Sequence, residues 1–313
     1  MARNRNPCVE SAVGVNLLEM NASTFFIVAL LAIATINSAG QRATTTPSVT
    51  IVSEPNAVIW IDEIRRGATD SSGRLADLKI NTGAHSLRVR AGGFRQLTMS
   101  LAATQRGEIK VNLTRTTDRA ELLFQQAENA RETARDDAAR QNAADLYRQT
   151  LKLRGDAAAH LGLARVLLDL NDTNSALAEI EAARRARAIY PEASAVEGRI
   201  YREAGQTEEA IGAFNRAIRE SHGFQPEAHV GVGRIYEEQG QYELAAREFQ
   251  IAIDQLFDTE PIIYQMLGAA YEKSGKNREA IAAYENYLRL APNGSQATAV
   301  RSIVEQLKLQ QPD

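Results

Sequence analysis

Three arginines recur at nearly constant spacing in the second half of the sequence, and each is followed four residues later by an acid. The set is Arg165 and Asp169, Arg199 and Glu203, and Arg234 and Glu238, with Arg202 and Glu237 beside them. A guanidinium oriented by a carboxylate can form paired hydrogen bonds to ligand carboxylates or to peptide carbonyls. The alternative is a row of solvated ion pairs on helix surfaces, each worth about 0.3–0.5 kcal/mol. In both interpretations these residues are suited to non-covalent contacts.

The sequence contains no residue pattern typical of an enzyme active site. Its histidines have no metal-ligating neighbour at helical or hairpin spacing, so we expect no metal site and no cofactor. Gly231-Val232-Gly233 lacks the rest of a dinucleotide-binding fingerprint. No set of nucleophile, base and orienting group is recognisable. The net charge of −3 gives no indication of nucleic-acid binding. We therefore predict a protein that is not an enzyme.

The arginines belong to a longer repeat in which residues of one type return every 35 positions. Six such columns are Pro191, Pro226 and Pro261; Gly198, Gly233 and Gly268; Tyr201, Tyr236 and Tyr271; Gly205, Gly240 and Gly275; Ala210, Ala245 and Ala280; and Phe214, Phe249 and Tyr284. The proline suits the first turn of a helix, and the second glycine suits the positive φ that ends one. The first glycine removes a side chain where two helices cross. The columns predict a helix–turn–helix unit repeated along the chain.

This pattern resembles the tetratricopeptide repeat, whose unit of about 34 residues has Leu-Gly, Tyr, Ala, aromatic and Pro positions. The copy from Pro261 to Pro292 carries the pattern most completely, with Leu267, Gly268 and Tyr271 in the first helix. In this family the first helix of each unit lines a groove. The resemblance therefore places the arginines and acids described above in a groove that binds a peptide or a partner protein.

The repeats divide the helical part of the chain into six segments. We expect four repeats at residues 157–190, 191–225, 226–260 and 261–292. A divergent helical repeat precedes them at residues 118–156, and a capping helix and tail follow at residues 293–313. A solenoid needs such a cap because its last apolar face would otherwise be exposed.

Residues 49–115 have the alternating pattern of β-strands. Segments rich in β-branched residues are separated by turn sequences such as Asp70–Gly73 and Asn81–Gly83, and about seven short strands predict a small β-sandwich. Ser53, Pro55, Ala57, Trp60 and Asp62, followed by Gly93-Phe94, resemble the PEGA domain. That resemblance implies a bacterial surface or envelope protein. We expect Trp60 in the core or at an edge of the sandwich, and the alternative is a platform that stacks on a ligand.

The N-terminal residues 1–40 resemble a secretory signal peptide. Basic residues precede the apolar run Phe25–Ile36, and Ser38-Ala39-Gly40 supplies small residues before Gln41. An uncleaved membrane anchor and a translation start at Met20 are the alternatives. Residues 41–48 are expected to form a linker. The only cysteine, Cys8, lies upstream of the apolar run, so a cleaved protein would contain no disulfide.

The two predicted domains differ in charge. Residues 41–115 contain 11 basic and 6 acidic side chains, a net +5, and residues 116–313 contain 23 and 31, a net −8. The β-domain could contact an anionic envelope surface, or the two domains could attract each other. We predict a small β-sandwich followed by an all-α solenoid, acting as an exported bacterial adaptor. The alternatives are a self-stacking structural subunit and a glycan-binding accessory module of an envelope or export enzyme system.

Overall fold

The computed structural model describes residues 48–80, 85–102 and 104–310. The predicted signal peptide and all but the last residue of the predicted linker lie outside these ranges, as does the turn expected at Asn81–Gly83. Within the described residues, no helix is long and apolar enough to cross a membrane.

The N-terminal part of the described chain is the predicted small β-sandwich. Its strands are β1 (Ser48–Val52), β2 (Val58–Ile61), β3 (Ile64–Ala68), β4 (Arg74–Lys79), β5 (His85–Arg90), β6 (Leu97–Leu101) and β7 (Gly107–Lys110). One sheet has the order β4-β1-β7 and the other the order β3-β2-β5-β6. Alternate residues of both sheets, including Ile51, Ile59 and Leu87, are buried in a common core, as a two-layer arrangement requires.

The rest of the described chain consists of helices. They are α1 (Arg119–Thr133), α2 (Asp137–Leu153), α3 (Ala157–Asp169), α4 (Thr173–Ala186), α5 (Pro191–Glu203), α6 (Thr207–Glu220), α7 (Pro226–Glu238), α8 (Tyr242–Leu256), α9 (Pro261–Lys273), α10 (Asn277–Leu290) and α11 (Ala297–Leu309). Helices α1 to α10 form five antiparallel pairs, and α11 packs on α10 through Val300, Val304 and Leu307. Helices α1 and α2 fall within residues 118–156, and α11 falls within residues 293–313.

The repeated residues perform the tasks that their chemistry suggested. Pro191, Pro226 and Pro261 begin α5, α7 and α9. Gly205 has a φ of 73° after α5, and the amide of Gln206 donates to the carbonyl of Tyr201, which closes the helix as a Schellman motif does. Turns of this kind fold each second helix back on the first.

The first helices of the repeats meet the second helices through glycines that face aromatic rings. A Cβ placed on Gly198 would lie 2.6 Å from the Phe214 ring, and one on Gly268 would lie 2.6 Å from the Tyr284 ring. Both rings are almost fully buried. This packing brings successive first helices side by side and so creates the face that carries the predicted site.

Candidate protein-binding groove

The first helices of the repeats, α3, α5, α7 and α9, together form one surface of the solenoid, which we call the groove. The groove forms one wall of a cavity of about 600 Å³. Six of the eight predicted site residues line that cavity, namely Arg165, Asp169, Arg199, Arg202, Glu203 and Arg234. Residues at equivalent or neighbouring positions of three successive repeats therefore lie together in this cavity wall.

Most ion pairs of these residues run between repeats, whereas the sequence predicted pairs within one helix. Arg199 lies 3.5 Å from Glu203 on its own helix, but it also donates a hydrogen bond of 2.9 Å to Asp169 on the preceding first helix. Arg202 donates to Glu238 on the following first helix at 3.1 Å. Adjacent first helices lie side by side, so a long arginine side chain reaches the neighbouring acid in a shorter contact.

The two other predicted pairs, Arg165 with Asp169 and Arg234 with Glu238, do not form among the described residues. Arg165 instead lies 3.5 Å from Glu227, two repeats along the chain. Glu237 accepts a hydrogen bond of 3.0 Å from Lys273, and both Glu237 and Glu238 lie outside the cavity lining.

Arg234 is the free cation of the set. It is exposed in the cavity wall, and in the part of the chain that the structure describes it has neither a hydrogen bond nor an ion pair. A guanidinium without a partner can donate to a ligand without first breaking a contact of its own.

The opposite wall of the cavity is the β2–β3 hairpin. Its turn residues Asp62 and Glu63 have φ values of 52° and 64°, as in a two-residue turn with the twist that a hairpin favours. The amide of Ser86 donates to the Asp62 carboxylate at 2.9 Å, and the His85 ring contacts the same carboxylate at 2.6 Å. Asp62, Glu63, Ile64 and Arg65 line the cavity from this side. The β-sandwich therefore reaches into the groove of the same chain.

Arg66 and Ile64 hold the hairpin against the third and fourth repeats. The two terminal nitrogens of Arg66 donate to the carbonyls of Leu256 at 3.1 Å and Gln255 at 3.3 Å, at the C-terminal end of α8. Its guanidinium lies 5.5 Å from the centre of the Phe257 ring. Ile64 packs against the apolar cluster that contains Ile263 and Met266.

Glu192 is a partly buried acid of the cavity that the sequence did not single out. Its Oε2 has no hydrogen-bond partner among the described residues. Burial, together with the nearby Glu63, raises the pKa of the Glu192 carboxyl. A buried carboxylate oxygen without a partner favours a ligand that donates a hydrogen bond.

A second contact joins the β-sandwich to α1. Arg90 donates to Glu128 at 3.2 Å, and the amide group of Gln125 bonds both the amide of Gly93 and the carbonyl of Phe94. The guanidinium of Arg90 also lies 4.8 Å from the centre of the Trp60 ring.

Trp60 is buried at this contact, whereas the sequence led us to expect it in the core or at an edge of the sandwich. The apolar core of the two sheets does not include Trp60, and its strand β2 lies between β3 and β5. The Trp60 side chain is 7% exposed and also lies under Arg88, 4.4 Å from the ring centre. Because arginines of the same chain cover the ring, Trp60 does not offer a stacking platform for a sugar.

No group of histidine, cysteine and acidic side chains suitable for a metal ion occurs in the described ranges. Two histidines are instead paired with acids within their repeats: His160 with Glu179 at 2.6 Å and His229 with Glu248 at 2.7 Å. Contacts of this kind fix the two helices of a repeat to each other.

Comparisons with known proteins identify the helical repeats. The tetratricopeptide repeat family matches residues 161–223, 195–261 and 262–293. No curated protein matches the chain.

Solved structures share the fold at low sequence identity. A thermophilic TPR protein of Thermus thermophilus, TTC0263, is 23% identical, with a TM-score of 0.50 over 61% of this chain and 99% of that one. The pilus biogenesis factor PilW is 14% identical, with a TM-score of 0.50 over 62% of this chain and 93% of that one.

The APC/C Cut9–Hcn1 hetero-tetramer also contains a similar chain, at 14% identity and a TM-score of 0.51. The match covers 60% of this chain and 36% of that one, so this chain spans about a third of its length. These likenesses concern the fold alone. With the repeated packing of glycine against aromatic rings, the family matches show that residues 161–293 consist of tetratricopeptide repeats.

Proposed function

We propose that this protein is a non-enzymatic adaptor whose groove binds a peptide or a segment of a partner protein. The observation that carries the proposal is the cavity of about 600 Å³ along the groove, in whose wall Arg234 has no partner among the described residues. Tetratricopeptide repeats are typically protein-interaction scaffolds, which supports the same assignment. A solenoid is suited to this task because its stacked units create an extended binding surface.

The cavity wall combines charged and apolar side chains, as a peptide site requires. Arg234 can donate to a carboxylate or to peptide carbonyls, and Glu192 can accept from a donor. Ile262 lines the same cavity, is 44% exposed and offers apolar surface to a side chain of the ligand.

A matched pair of variants tests the groove. Partners captured from an envelope fraction by the full chain are identified by mass spectrometry and titrated against the purified variants. Arg234→Ala should weaken binding about tenfold or more, because a hydrogen bond from a charged donor contributes roughly 1.5–3 kcal/mol. It should leave the unfolding free energy nearly unchanged, because Arg234 has no ion pair to lose within the described residues.

The control is Arg247→Ala on α8. Arg247 is exposed, lies outside the cavity lining and has no ion pair in the described ranges. The Arg247→Ala substitution also removes one positive charge, and it should change neither the affinity for the partner nor the unfolding free energy. Equal affinity of the Arg234→Ala variant and the parent for every captured partner would reject the groove as the binding site.

We further propose that the protein is exported and that its PEGA-like β-sandwich contacts the cell envelope. The apolar run before Ser38-Ala39-Gly40 and the net charge of +5 in residues 41–115 support this proposal. N-terminal sequencing of protein from native cells should give a start near Gln41. A protein with an intact residue 1 in the cytosolic fraction would contradict export.

A further inference from the structure

The β2–β3 hairpin of the same chain already lies against the groove, where it contacts the third and fourth repeats. We propose that this hairpin is an intramolecular ligand and that the partner displaces it with an extended basic segment. That segment carries an apolar residue two positions before an arginine, as Ile64 and Arg66 do. The proposal rests on the proposed function, because it specifies the partner of the same groove.

The strongest evidence is the site that receives Arg66. Carbonyls at the C-terminal end of a helix carry the negative pole of its dipole, and a planar guanidinium can donate to two of them at once. Arg66 does this with Gln255 and Leu256, and its charge faces the Phe257 ring. Carbonyls and an aromatic ring together select an arginine over a neutral side chain.

The loop that presents this site has an uncommon backbone. Phe257 and Asp258 both have positive φ, 51° and 64°, although neither is glycine. Bulky residues rarely adopt this conformation, and such strain is concentrated at ligand sites. Here it positions the Phe257 ring beside the last carbonyls of α8.

An irregularity in the pairing of β2 with β3 accompanies the two recognised residues. Ile59 pairs with Gly67 and Trp60 pairs with Arg65, so Arg66 is an extra residue of β3 in a β-bulge. Ile64 and Arg66 contact the third and fourth repeats, and the guanidinium of Arg65 lies 3.8 Å from Glu132 of α1. The contact with these repeats thus recognises one apolar and one basic residue.

The contact between the hairpin and the repeats leaves buried polar atoms without hydrogen bonds, and a partner could form those hydrogen bonds. The Nε of Arg66 and the Oε1 of Gln255 are buried without a hydrogen-bond partner among the described residues. Unpaired buried polar atoms cost free energy. A segment that is not anchored to the β-sandwich can adjust its position and satisfy them. The net −8 of residues 116–313 also favours a basic ligand.

A peptide-binding experiment with the full-length protein tests the proposal, because the peptide must compete with the hairpin of the same chain. The probe is a fluorescently labelled peptide with the sequence of residues 58–70, and its binding is followed by anisotropy. A site open in only a fraction of molecules shows an affinity reduced by that fraction. Arg66→Ala opens the site, so this variant should bind the probe at least about tenfold more tightly than the parent, which corresponds to a hairpin docked in roughly nine of ten molecules.

Two controls make the result specific. Arg95→Ala removes an exposed arginine of the β-sandwich outside this contact and should bind the probe as the parent does. In the double variant Arg66→Ala, Phe257→Asn, the asparagine tolerates positive φ but has no aromatic ring. This variant should bind the probe more weakly than the Arg66→Ala variant does. Circular dichroism establishes that each variant is folded.

Equal affinity of the parent and the Arg66→Ala variant for the probe would overturn the inference. So would equal binding of a probe in which alanine replaces the arginine at position 66. These outcomes are separable from a failure of the proposed function. If captured partners still depend on Arg234, the groove remains the binding site and only the displacement proposal is rejected. If the Arg234→Ala substitution does not change the affinity for the partners while Arg66→Ala increases the affinity for the probe, the adaptor site is rejected and the proposed hairpin contact is retained.

Discussion

Gly233 illustrates how one repeated position determines helix packing. It lies on α7, and a Cβ built there would lie 2.6 Å from Cε1 and 2.8 Å from Cδ1 of Phe249 on α8. The Phe249 ring is fully buried, so it has no free space into which to move. The absence of a side chain at this position is therefore a packing requirement, and the glycine here is not needed for backbone freedom.

We expect Gly233→Ala to destabilise the protein by about 1–3 kcal/mol, because the added methyl overpacks the contact with Phe249. Urea unfolding followed by circular dichroism measures the effect. The control is Gly212→Ala on α6, where a Cβ meets nothing within 4 Å. That change should stabilise the helix by about 0.5–1 kcal/mol. Two substitutions of the same kind that shifted stability by the same amount would contradict the assigned role of Gly233.

At the scale of elements, the repeat helices were predictable and strand β3 was not. The columns of Pro, Gly and aromatic residues mark helix starts, turns and crossings locally, so their period identifies each pair. Ile64–Ala68 contains two adjacent arginines and a glycine, a poor strand pattern. It becomes a strand because β2 pairs with it across the two-residue turn, with Ile61 opposite Ile64. Pairing with a neighbouring strand is not encoded in the segment itself.

The candidate site was predictable to a similar degree. Periodicity located Arg165, Arg199 and Arg234 on one face, because equal positions in stacked units share a surface. It did not predict that Arg199 bonds Asp169 in the preceding repeat. The distance between neighbouring helices depends on the packing of whole units. Glu192 was missed because no local pattern indicates that it lies near Glu63 of the hairpin, which belongs to the β-sandwich.

At the scale of the whole molecule, side-chain contacts join the β-sandwich to the solenoid. They include Arg90 with Glu128 on α1, and Arg66 at the end of α8. The opposite net charges of the two parts are consistent with attraction between them, but the sequence could not identify the residues involved. Arg66 and Leu256 are 190 positions apart, and no local pattern relates them.

The contribution of Glu128 to stability at this interface depends on pH. Burial opposes its ionisation, but Arg131 and Arg90, with the hydroxyl of Tyr147, outweigh that effect and lower the pKa of the carboxyl from 4.5 to about 2. A carboxyl with a depressed folded-state pKa contributes stability above its unfolded value, and this contribution is lost as the pH falls through the folded value. The relevant window is therefore pH 4.5 to about 2.

We expect the parent to lose up to roughly 3 kcal/mol of unfolding free energy relative to Glu128→Gln across this window, because glutamine does not titrate. Fluorescence of Trp60, the only tryptophan, reports the transition because its ring lies under Arg90, the partner of Glu128. Urea titrations at neutral pH, at about pH 4 and near pH 2.5 should show the stability difference between parent and variant shrinking with acid. The control is Glu285→Gln, which breaks an exposed pair with Lys308 and should keep a small, nearly constant difference. A difference between parent and Glu128→Gln that stays constant over this range would show that Arg131, Arg90 and Tyr147 do not stabilise the ionised Glu128 carboxyl.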